Sequence, residues 1–503
     1  MSADPKPSSS SEPTPFNRPM PPGPAHPRSA AQRHVPNRDS LTTVNEDGSR
    51  YFLHPADVHG WFTRWRRHSG LALIAIYLLL PWIPVGGHPA VFLDVGAGRF
   101  HFLGYTLAAQ DVWLLFFGVT GLGFALFFIT ALLGRVWCGW ACPQTVFLEH
   151  IYRRIERMID GDAPTRRQRD DAPLTGSLLL RRVVKHALYI AVSLIITHLF
   201  LAYFVSIPEV WHMVSAAPAE HWAAFVFVFM ATGILYFNFA WFREQLCIVI
   251  CPYGRLQSAL TDDHTLNIGY DAVRGEPRGK VGTPDAGACI GCNRCVQVCP
   301  TGIDIRHGLQ LECIGCAACI DACDDIMVKV DRPKGLIRYD SHAGFAGGRR
   351  QWVRPRTIVY LVLLVIGITV AGFAFTSVKP ANFMVMRMSG AAYFVGPDVV
   401  RNQFMVRLLN KHNDSAVFHV SLVGLPAGVT QNGFNVPVTV EPQAEQVTPL
   451  VLLVNRRHYT GPFKFTLLVQ DAERTFTLSR EVEFLGPDAR LLKEEDLAKG
   501  ITR

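Results

Sequence analysis

The chain has 503 residues, of which 49% are apolar and 18% charged, and its formal net charge is +8. This length exceeds what one hydrophobic core usually fills, so we expect a membrane part with attached modules. The arginines crowd into a few loops beside long apolar runs, which favours a multi-pass protein of the lipid bilayer and disfavours nucleic acid as a partner.

Residues 1–45 form the first predicted segment. They are rich in Ser and Pro, and no long apolar run begins before Gly70. We therefore expect a disordered N-terminal tail without a cleavable secretory signal. The next segment, residues 46–268, is predicted to be a membrane domain.

Five apolar runs are each close to the ~20 residues that a helix needs to cross a bilayer. Pro81 and Pro84 interrupt the first run, so we expect its second half to be kinked or re-entrant rather than a straight helix. The sequence predicts an α-helical transmembrane bundle of about five spans. Four lie near residues 70–92, 112–133, 187–207 and 223–242, and the fifth (358–378) ends the segment 346–378.

Basic residues beside these runs predict their orientation, because cytoplasmic loops carry an excess of Lys and Arg. Arg64, Arg66 and Arg67 precede the first run, and many arginines fill the connection between the second and third runs. The connection 208–222 contains no Lys or Arg. We therefore expect the N-terminus and all cysteines at or beyond the cytoplasmic face, and the chain after the fifth run outside.

The last segment, residues 379–503, is predicted to be an external all-β domain with an immunoglobulin-like fold. Short runs of Val and Phe alternate there with turn-forming pairs such as Asn432-Gly433 and Gly461-Pro462. The runs and turns recur at roughly the spacing of a β-sandwich.

Eight cysteines between Cys289 and Cys323 carry the strongest chemical signal. They form two runs of C-x2-C-x2-C-x3-C, a spacing that holds two [4Fe–4S] clusters, with the fourth cysteine of each run binding the other cluster. We predict that the first cluster is held by Cys289, Cys292, Cys295 and Cys323. We predict that the second is held by Cys313, Cys316, Cys319 and Cys299. Residues 269–345 are thus predicted to be a cytoplasmic 2[4Fe–4S] ferredoxin module, entered through a Gly/Pro-rich linker at 269–284.

Zinc is the alternative occupant of these cysteines. A zinc site needs only two C-x2-C pairs, which leaves the extra cysteines unexplained, so clusters are favoured. The two runs differ in one respect, because Cys299 is followed by Pro300 but Cys323 by Asp324. We expect the turn of the second loop, and the potential of its cluster, to differ from those of the first.

The remaining four cysteines form two C-x3-C-P pairs, directly after the second and fourth apolar runs. The pairs are Cys138 with Cys142 and Cys247 with Cys251. On a helix the i,i+4 spacing puts both sulfurs of a pair on one face, and the equal depth of the two pairs allows four thiolates to converge. Such a set suits Cu(I), so we predict a catalytic copper site here. The alternative is that these are small, buried apolar residues.

Other candidates are weaker. His198, inside the third run, is either a ligand or proton relay or, more commonly, a residue hydrogen-bonded to a neighbouring helix. Met384, Met386 and Met388 put three thioethers on one face of a strand, where they either contact Cu(I) or face the core. The loop residues His150 and His264 receive no role.

At these motifs the chain resembles the cytochrome c oxidase accessory protein family called CcoG, FixG or Rdx. The resemblance covers nearly everything after residue 45. Its most specific parts besides the double cysteine run are WCGWACPQTVF at 137–147, CIVICPYGRLQS at 247–258 and GLIRYDS at 335–341.

The resemblance implies a bacterial inner-membrane protein in the biogenesis of cbb3-type oxidases, reducing Cu(II) to Cu(I) for the binuclear centre of the oxidase. The partners it implies are copper chaperones and oxidase assembly factors, and the sequence does not identify the cytoplasmic electron donor. By position, Cys138, Cys142, Cys247 and Cys251 match the family's membrane C-x3-C-P motifs. Two other functions stay open: an electron-relay subunit of a quinol dehydrogenase, and an assembly factor without catalysis.

Overall fold

The computed structural model describes residues 51–96, 98–108, 112–376, 381–411, 414–442, 444–474 and 476–498. The predicted tail 1–45 lies outside these residues. The described chain comprises a set of apolar helices, a cysteine-rich module between the third and fourth of them, and a C-terminal β domain.

Four of the five predicted spans are confirmed as apolar helices. Within the described residues, four helices are long and apolar enough to cross a membrane. They are α2 (Val112–Leu133), α7 (Gly176–Val205), α9 (Trp222–Phe237, continued by a π-helical turn at Asn238–Phe242) and α15 (Pro355–Thr376). Helix α2 packs against α15, and α7 packs against α9. Most of their side chains face outward, as expected for helices surrounded by lipid.

The first predicted span, residues 70–92, is helical only as far as Leu79, and its second half is not a straight helix, as expected, although strands replace the expected kinked or re-entrant segment. Helix α1 begins earlier, at Trp61, and ends at Leu79, where a 3₁₀ turn containing Pro81 follows. Proline has no N–H to continue the helical hydrogen bonds, and its ring clashes with the preceding turn. The second half of the run and the residues that follow it form short antiparallel strands: β1 (Pro84–Val85), β2 (His88–Pro89), β3 (Val91–Asp94), β4 (Arg99–Phe102) and β5 (Tyr105–Ala108). Strand β3 packs against α7.

Short helices fill the connections at the arginine-rich end of the bundle. Between α2 and α7 these are α3 (Val136–Trp140), α4 (Pro143–Phe147), a π-helical turn (Leu148–Tyr152), α5 (Arg153–Asp160) and α6 (Ala163–Asp170). Helix α8 (Ile207–Ser215) joins α7 to α9 at the other end. After α9 come a second π-helical turn (Leu246–Ile250) and α10 (Pro252–Leu260).

Two strands close the cysteine-rich module. Strand β6 (Asn267–Tyr270) pairs antiparallel with β7 (Ile337–Asp340), so the chain leaves the module beside the point where it enters. The predicted linker at 269–284 is therefore wrong at its start, because Gly269 and Tyr270 belong to this sheet. Between the strands lie α11 (Ala272–Gly275), α12 (Arg294–Gln297), a 3₁₀ turn (Ile305–His307) and α13 (Ala318–Lys329); α14 (His342–Phe345) follows β7.

The C-terminal domain is an antiparallel β-sandwich, which confirms the predicted all-β fold. One sheet has the order β12-β14-β10-β8, with β9 also on β10, and the other has the order β13-β11-β15-β16. Their bounds are β8 Ala381–Arg387, β9 Phe394–Val395, β10 Val399–Asn410, β11 Ala416–Val423, β12 Val429–Asn432, β13 Val438–Val440, β14 Glu445–Asn455, β15 Phe463–Asp471 and β16 Thr477–Phe484. Helix α16 (Ala489–Ala498) follows. Alternate side chains such as Phe404 and Leu450 fill the apolar interior.

Candidate functional site: two cysteine loops against a membrane-edge cysteine cluster

The two cysteine runs of the module have the same backbone conformation. In each run, a glycine with positive φ lies two residues after the first cysteine and directly before the second, at Gly291 (φ 70°) and Gly315 (φ 67°). A left-handed residue then precedes the helix that carries the third cysteine, at Asn293 (φ 57°) and Ala317 (φ 62°). A left-handed alanine is strained and persists only where its surroundings hold it. The duplicated conformation indicates two equivalent binding loops.

The eight thiols fall into two groups of four by electrostatic proximity. Burial raises the pKa of Cys323 to about 12, and Cys289 and Cys292 raise it further. Burial likewise raises the pKa of Cys295 to about 12, with Cys323 and Cys292 among its neighbours. The fourth cysteine of the second run thus lies with the first run, as the crossed assignment requires.

The second group is organised in the same way. Burial raises the pKa of Cys319 well above its usual value, and repulsion from Cys316, Cys313 and Cys299 adds to it, with a smaller contribution from Cys295 of the first group. Cys299, the fourth cysteine of the first run, therefore lies with the second run. The ligand roles of both groups stay a prediction.

The expected difference between the two loops is present in the backbone. Helix α12 ends at Gln297, before Cys299 and Pro300, whereas α13 continues through Cys323 and Asp324. Proline disfavours helical geometry in the residue before it, and aspartate does not. The Asp324 carboxylate also accepts a hydrogen bond from the Gly335 backbone N–H at 2.9 Å.

The donor set fits cubane clusters better than single ions. In the described part of the chain, no three His, Cys, Asp or Glu side chains surround one point as the ligands of one metal ion would. The four thiolates of a [4Fe–4S] cluster bind four different irons and so stand farther apart than the ligands of one zinc ion. When bound, such clusters take up and release single electrons.

The two membrane-edge pairs share a local structure that differs from the predicted one. Neither pair lies on one helix. Cys138 lies in α3 and Cys247 in a π-helical turn, while Cys142 and Cys251 are extended residues that immediately precede α4 and α10. The following proline explains this, because it favours the first helical position and keeps the residue before it extended. In each pair the second cysteine's N–H donates to the carbonyl five residues earlier, at 2.9 Å for Cys142 and 2.8 Å for Cys251.

The four membrane-edge thiols nevertheless lie near one another. Burial raises the pKa of Cys138 to about 11; a hydrogen bond from Gln257 lowers it, while Cys142 and Cys251 raise it. Burial raises the pKa of Cys247 to about 12, and the other three thiols raise it further. Both of these thiols therefore bind a metal only by releasing their protons. Because no three of the four already surround one point, binding a single ion requires their side chains to rotate.

Side-chain amides join the two pairs. Gln257, fully buried on α10, donates to the Cys138 sulfur at 3.4 Å. Gln144, two residues after Cys142, exchanges hydrogen bonds with Asn238 at the end of α9, at 2.7 and 3.3 Å. These bonds hold the segment after α2 against the segment after α9.

The membrane-edge pairs contact the second cysteine loop directly. A Cβ built on Gly139 would lie 2.7 Å from the Ile314 carbonyl oxygen and 2.9 Å from the Cα of Cys316. Arg135 donates to the Leu311 carbonyl and, at 2.8 Å, to that of Gly254 on α10. Glycine at 139 therefore permits a close approach that no other residue allows, and Arg135 fixes all three segments together.

The weaker candidates lie elsewhere. His198 Nδ1 is 2.8 Å from the carbonyl oxygen of Leu194 on its own helix, so the predicted bond to a neighbouring helix is wrong. Met386 and Met388 are about 40% exposed, so the stripe does not face the core. Met386 lies opposite Met405 of β10, which adds a fourth thioether to that face. His264 accepts a long backbone hydrogen bond of 3.5 Å.

Four residues that assemble the site were not predicted from the sequence: Arg135, Gly139, Gln144 and Gln257. Three of them belong to the quoted motifs WCGWACPQTVF and CIVICPYGRLQS, where only the cysteines and prolines were assigned a part. The available signal was a glutamine after each cysteine pair, two residues after Cys142 and six after Cys251. Nothing in the sequence pairs Gln257 with Cys138, 119 residues away.

Three protein-family models match the chain. One described as a 4Fe-4S dicluster domain matches residues 242–342, and one described as a 4Fe-4S binding domain matches residues 114–159. A third, described as the IG-like fold at the C-terminal of FixG, matches residues 371–487. The module therefore binds iron–sulfur clusters, and the β domain is immunoglobulin-like.

Known proteins resemble most of the chain. The nitrogen fixation protein FixG of Rhizobium meliloti is 33% identical over 478 residues, which cover 83% of this chain and 90% of FixG. Protein RdxA of Cereibacter sphaeroides is 34% identical over 411 residues, covering 77% of this chain and 86% of RdxA. Protein RdxB of the same organism is 33% identical over 411 residues, covering 76% and 84%. With its apolar helices, cluster-binding module and immunoglobulin-like domain, the chain belongs to the FixG/Rdx family.

Proposed function

We propose that this membrane iron–sulfur protein reduces Cu(II) to Cu(I) for the copper centre of a cbb3-type cytochrome c oxidase. The observation that carries the proposal is the contact of the membrane-edge cysteines with the second cysteine loop, through Gly139 and Cys316. A one-electron metal reductase needs an electron store beside a soft-ligand site. The resemblance to FixG and Rdx proteins adds the connection to oxidase assembly.

The different exposure of the two cysteine groups supports a direction of electron transfer, from the first group to the second. Cys292 of the first group is exposed, whereas Cys316 of the second is buried against Gly139. An electron donor therefore reaches the first group from solvent, and the second group adjoins the proposed copper site. Cu(II) held by Cys138, Cys142, Cys247 and Cys251 takes up one electron and leaves as Cu(I), which thiolates prefer.

A second candidate for the membrane-edge cysteines is a further cluster, which would make the protein an electron relay. The family model for residues 114–159 favours this candidate, because it is described as 4Fe-4S binding and contains Cys138 and Cys142.

The double substitution Cys138→Ser with Cys251→Ser separates these candidates. Iron, copper binding and Cu(II) reduction are measured anaerobically on prereduced protein, with Met158→Leu and Met230→Leu, two exposed methionines without an assigned role, as the control pair. Loss of copper binding and reduction at unchanged iron supports the copper site. Loss of about four irons per chain favours the further cluster. If iron, copper binding and reduction all match the parent, these cysteines only pack, and the methionines at 384–388 become the next candidate.

We also propose that the cluster module is cytoplasmic and the β domain periplasmic, with copper chaperones and oxidase assembly factors as partners. The arginines that flank the helices support this orientation, since Arg66, Arg135 and Arg153 all contact the cysteine-bearing end. A periplasmic reporter fused after Gly486 should be active, and one fused after Asp285 inactive. The reverse pattern contradicts the orientation.

A further inference from the structure

A cavity of about 290 Å³ lies at the arginine-rich end of the bundle. It is enclosed by the segment before α1, the start of α1, α5 and the two cysteine loops, where Pro300 and Ala318 line it. Seven arginines but only two carboxylates, Asp57 and Glu149, line the cavity. The cavity therefore carries a large excess of positive charge.

The buried arginines of the cavity form ion pairs with carboxylates of the protein itself. Arg153 pairs with Glu149 and, at 3.4 Å, with Glu244. Arg166 pairs with Glu156 at 3.3 Å. These contacts hold the floor of the cavity in place.

Arg66, like Arg153 and Arg166, has one buried guanidinium nitrogen without a hydrogen-bond partner among the described residues. Its side chain is about 9% exposed, and its Nε donates to the Gly139 carbonyl at 2.8 Å. Its Nη2 has no hydrogen-bond partner among the described residues, and the nearest carboxylate oxygen, of Glu149, is 3.9 Å away. A buried guanidinium nitrogen without a partner is costly, which points to a missing acceptor.

The rim is formed by three exposed arginines. Arg64 and Arg67, three residues apart on α1, and Arg154 on α5 form no ion pair with a described carboxylate. Burial lowers the pKa of Arg154, and repulsion from Arg67 and Arg157 lowers it further, while Asp57 and Glu149 raise it in part. Like charges facing one another across an open cavity are stabilised by a bound anion.

We propose that this cavity binds a phosphate-bearing anion, coordinated by Arg64, Arg67 and Arg154 with Arg66 beneath. Guanidinium groups match phosphate oxygens in charge and geometry, and Val58 and Val298 offer apolar surface to an attached organic group. The site is independent of the proposed copper chemistry.

Two classes of molecule carry a phosphate group that fits this cavity. One is the headgroup of an anionic phospholipid, since Trp61 and Trp65 are exposed beside the arginines on α1, as at a membrane interface. The other is a soluble phosphorylated compound entering from the aqueous side. The same arginines would bind both, so the probes must distinguish them.

The test is titration calorimetry of the detergent-solubilised, cluster-loaded protein with pyrophosphate and, separately, with short-chain phosphatidylglycerol. The variant combines Arg64→Gln, Arg67→Gln and Arg154→Gln. The matched control removes three exposed arginines outside the cavity, with Arg181→Gln, Arg349→Gln and Arg356→Gln. Iron content and visible absorption establish that both variants are folded.

We expect the rim variant, which loses three contacts, to bind about 1000-fold more weakly or not at all, since each charge-assisted contact contributes roughly a factor of ten. The control should bind as the parent does. Binding of phosphatidylglycerol alone identifies a lipid site, and binding of pyrophosphate alone or of both identifies a site open to soluble phosphates. The proposal is overturned if neither probe binds, or if the control variant loses as much affinity as the rim variant.

Discussion

Around the cysteines, buried charges occupy the protein interior, whereas the C-terminal β domain buries mainly apolar side chains. Near α5 and the end of α9, Arg153, Glu156, Arg166, Arg243 and Glu244 are all buried. The described interior of the β domain holds 18 apolar residues in one cluster and a few polar ones such as Asn402. The first region is held by specific ion pairs and the second by burial of apolar surface.

This difference reflects the chemistry of the two regions. Buried ion pairs fix geometry but add little net stability, because desolvation of the charges offsets their attraction. Apolar burial stabilises a domain without needing any ligand. We therefore expect the cysteine-rich region to depend on its cofactors for folding, and the β domain to fold without them.

Removal of the clusters should give the largest difference in stability between the two regions. Buried Cys289 and Cys295 belong to the module's apolar core, so stripping iron leaves that core without its central ligands. After anaerobic iron removal in detergent, we expect residues 271–336 to become sensitive to limited proteolysis. The β domain, digested in the same sample, serves as the control and should stay resistant. If both regions became equally sensitive to the protease, dependence on the clusters would not distinguish them.

Breaking one buried ion pair should give the next largest effect. Glu156 accepts hydrogen bonds from Arg243, from Arg166 at 3.3 Å and from Tyr189 at 2.8 Å. Glu156→Gln leaves buried Arg243 without its carboxylate, so the free energy of unfolding should fall by about 3–5 kcal/mol. Denaturant unfolding in detergent measures this change.

The matched control is an ion pair of the β domain. Lys464 and Glu481 lie 2.6 Å apart with most of both side chains exposed. Glu481→Gln should leave stability unchanged within error, because solvent screens exposed pairs. If both variants lose similar stability, burial does not distinguish the two regions.

Lowering the pH should give the smallest change in stability. Burial raises the pKa of Glu156, but Arg243 and the Tyr189 hydroxyl lower it more, and the pKa is about 2. The unfolded carboxyl titrates near 4.5, so the stabilisation by Glu156 is complete above that pH and is lost as pH falls towards 2. The difference in melting temperature between the parent and Glu156→Gln should therefore narrow when pH drops from 6 to below about 4.5. A difference that grows in acid would show that the carboxylate is not stabilised by Arg243.

Sequence patterns predicted the features that depend on neighbouring residues. The cysteine runs were readable because each cluster takes three ligands from one short loop. Long apolar helices and the longer strands were readable from composition and alternation, as in β10, where buried and more exposed residues alternate over Val399–Asn410. Short strands were missed, since β9 has two residues and β12 four, mostly polar ones.

Features that depend on distant contacts could not be read. The i,i+4 spacing of Cys138 and Cys142 suggested one helix, but Pro143 begins a new one. The convergence of the membrane-edge pairs rests on bonds between residues far apart, such as Arg135 and Leu311, 176 residues apart. In the first run, Pro81 and Pro84 indicated that the helix breaks, but not that the strands β1 to β5 follow it.

The pairing of β6 with β7 has an evolutionary consequence. The cluster module enters and leaves through adjacent strands, at Asn267–Tyr270 and Ile337–Asp340. A unit whose two ends lie side by side can be spliced into a host loop without separating the helices on either side. The module thus has the form of an inserted cassette, which one recombination event can transfer whole between membrane scaffolds.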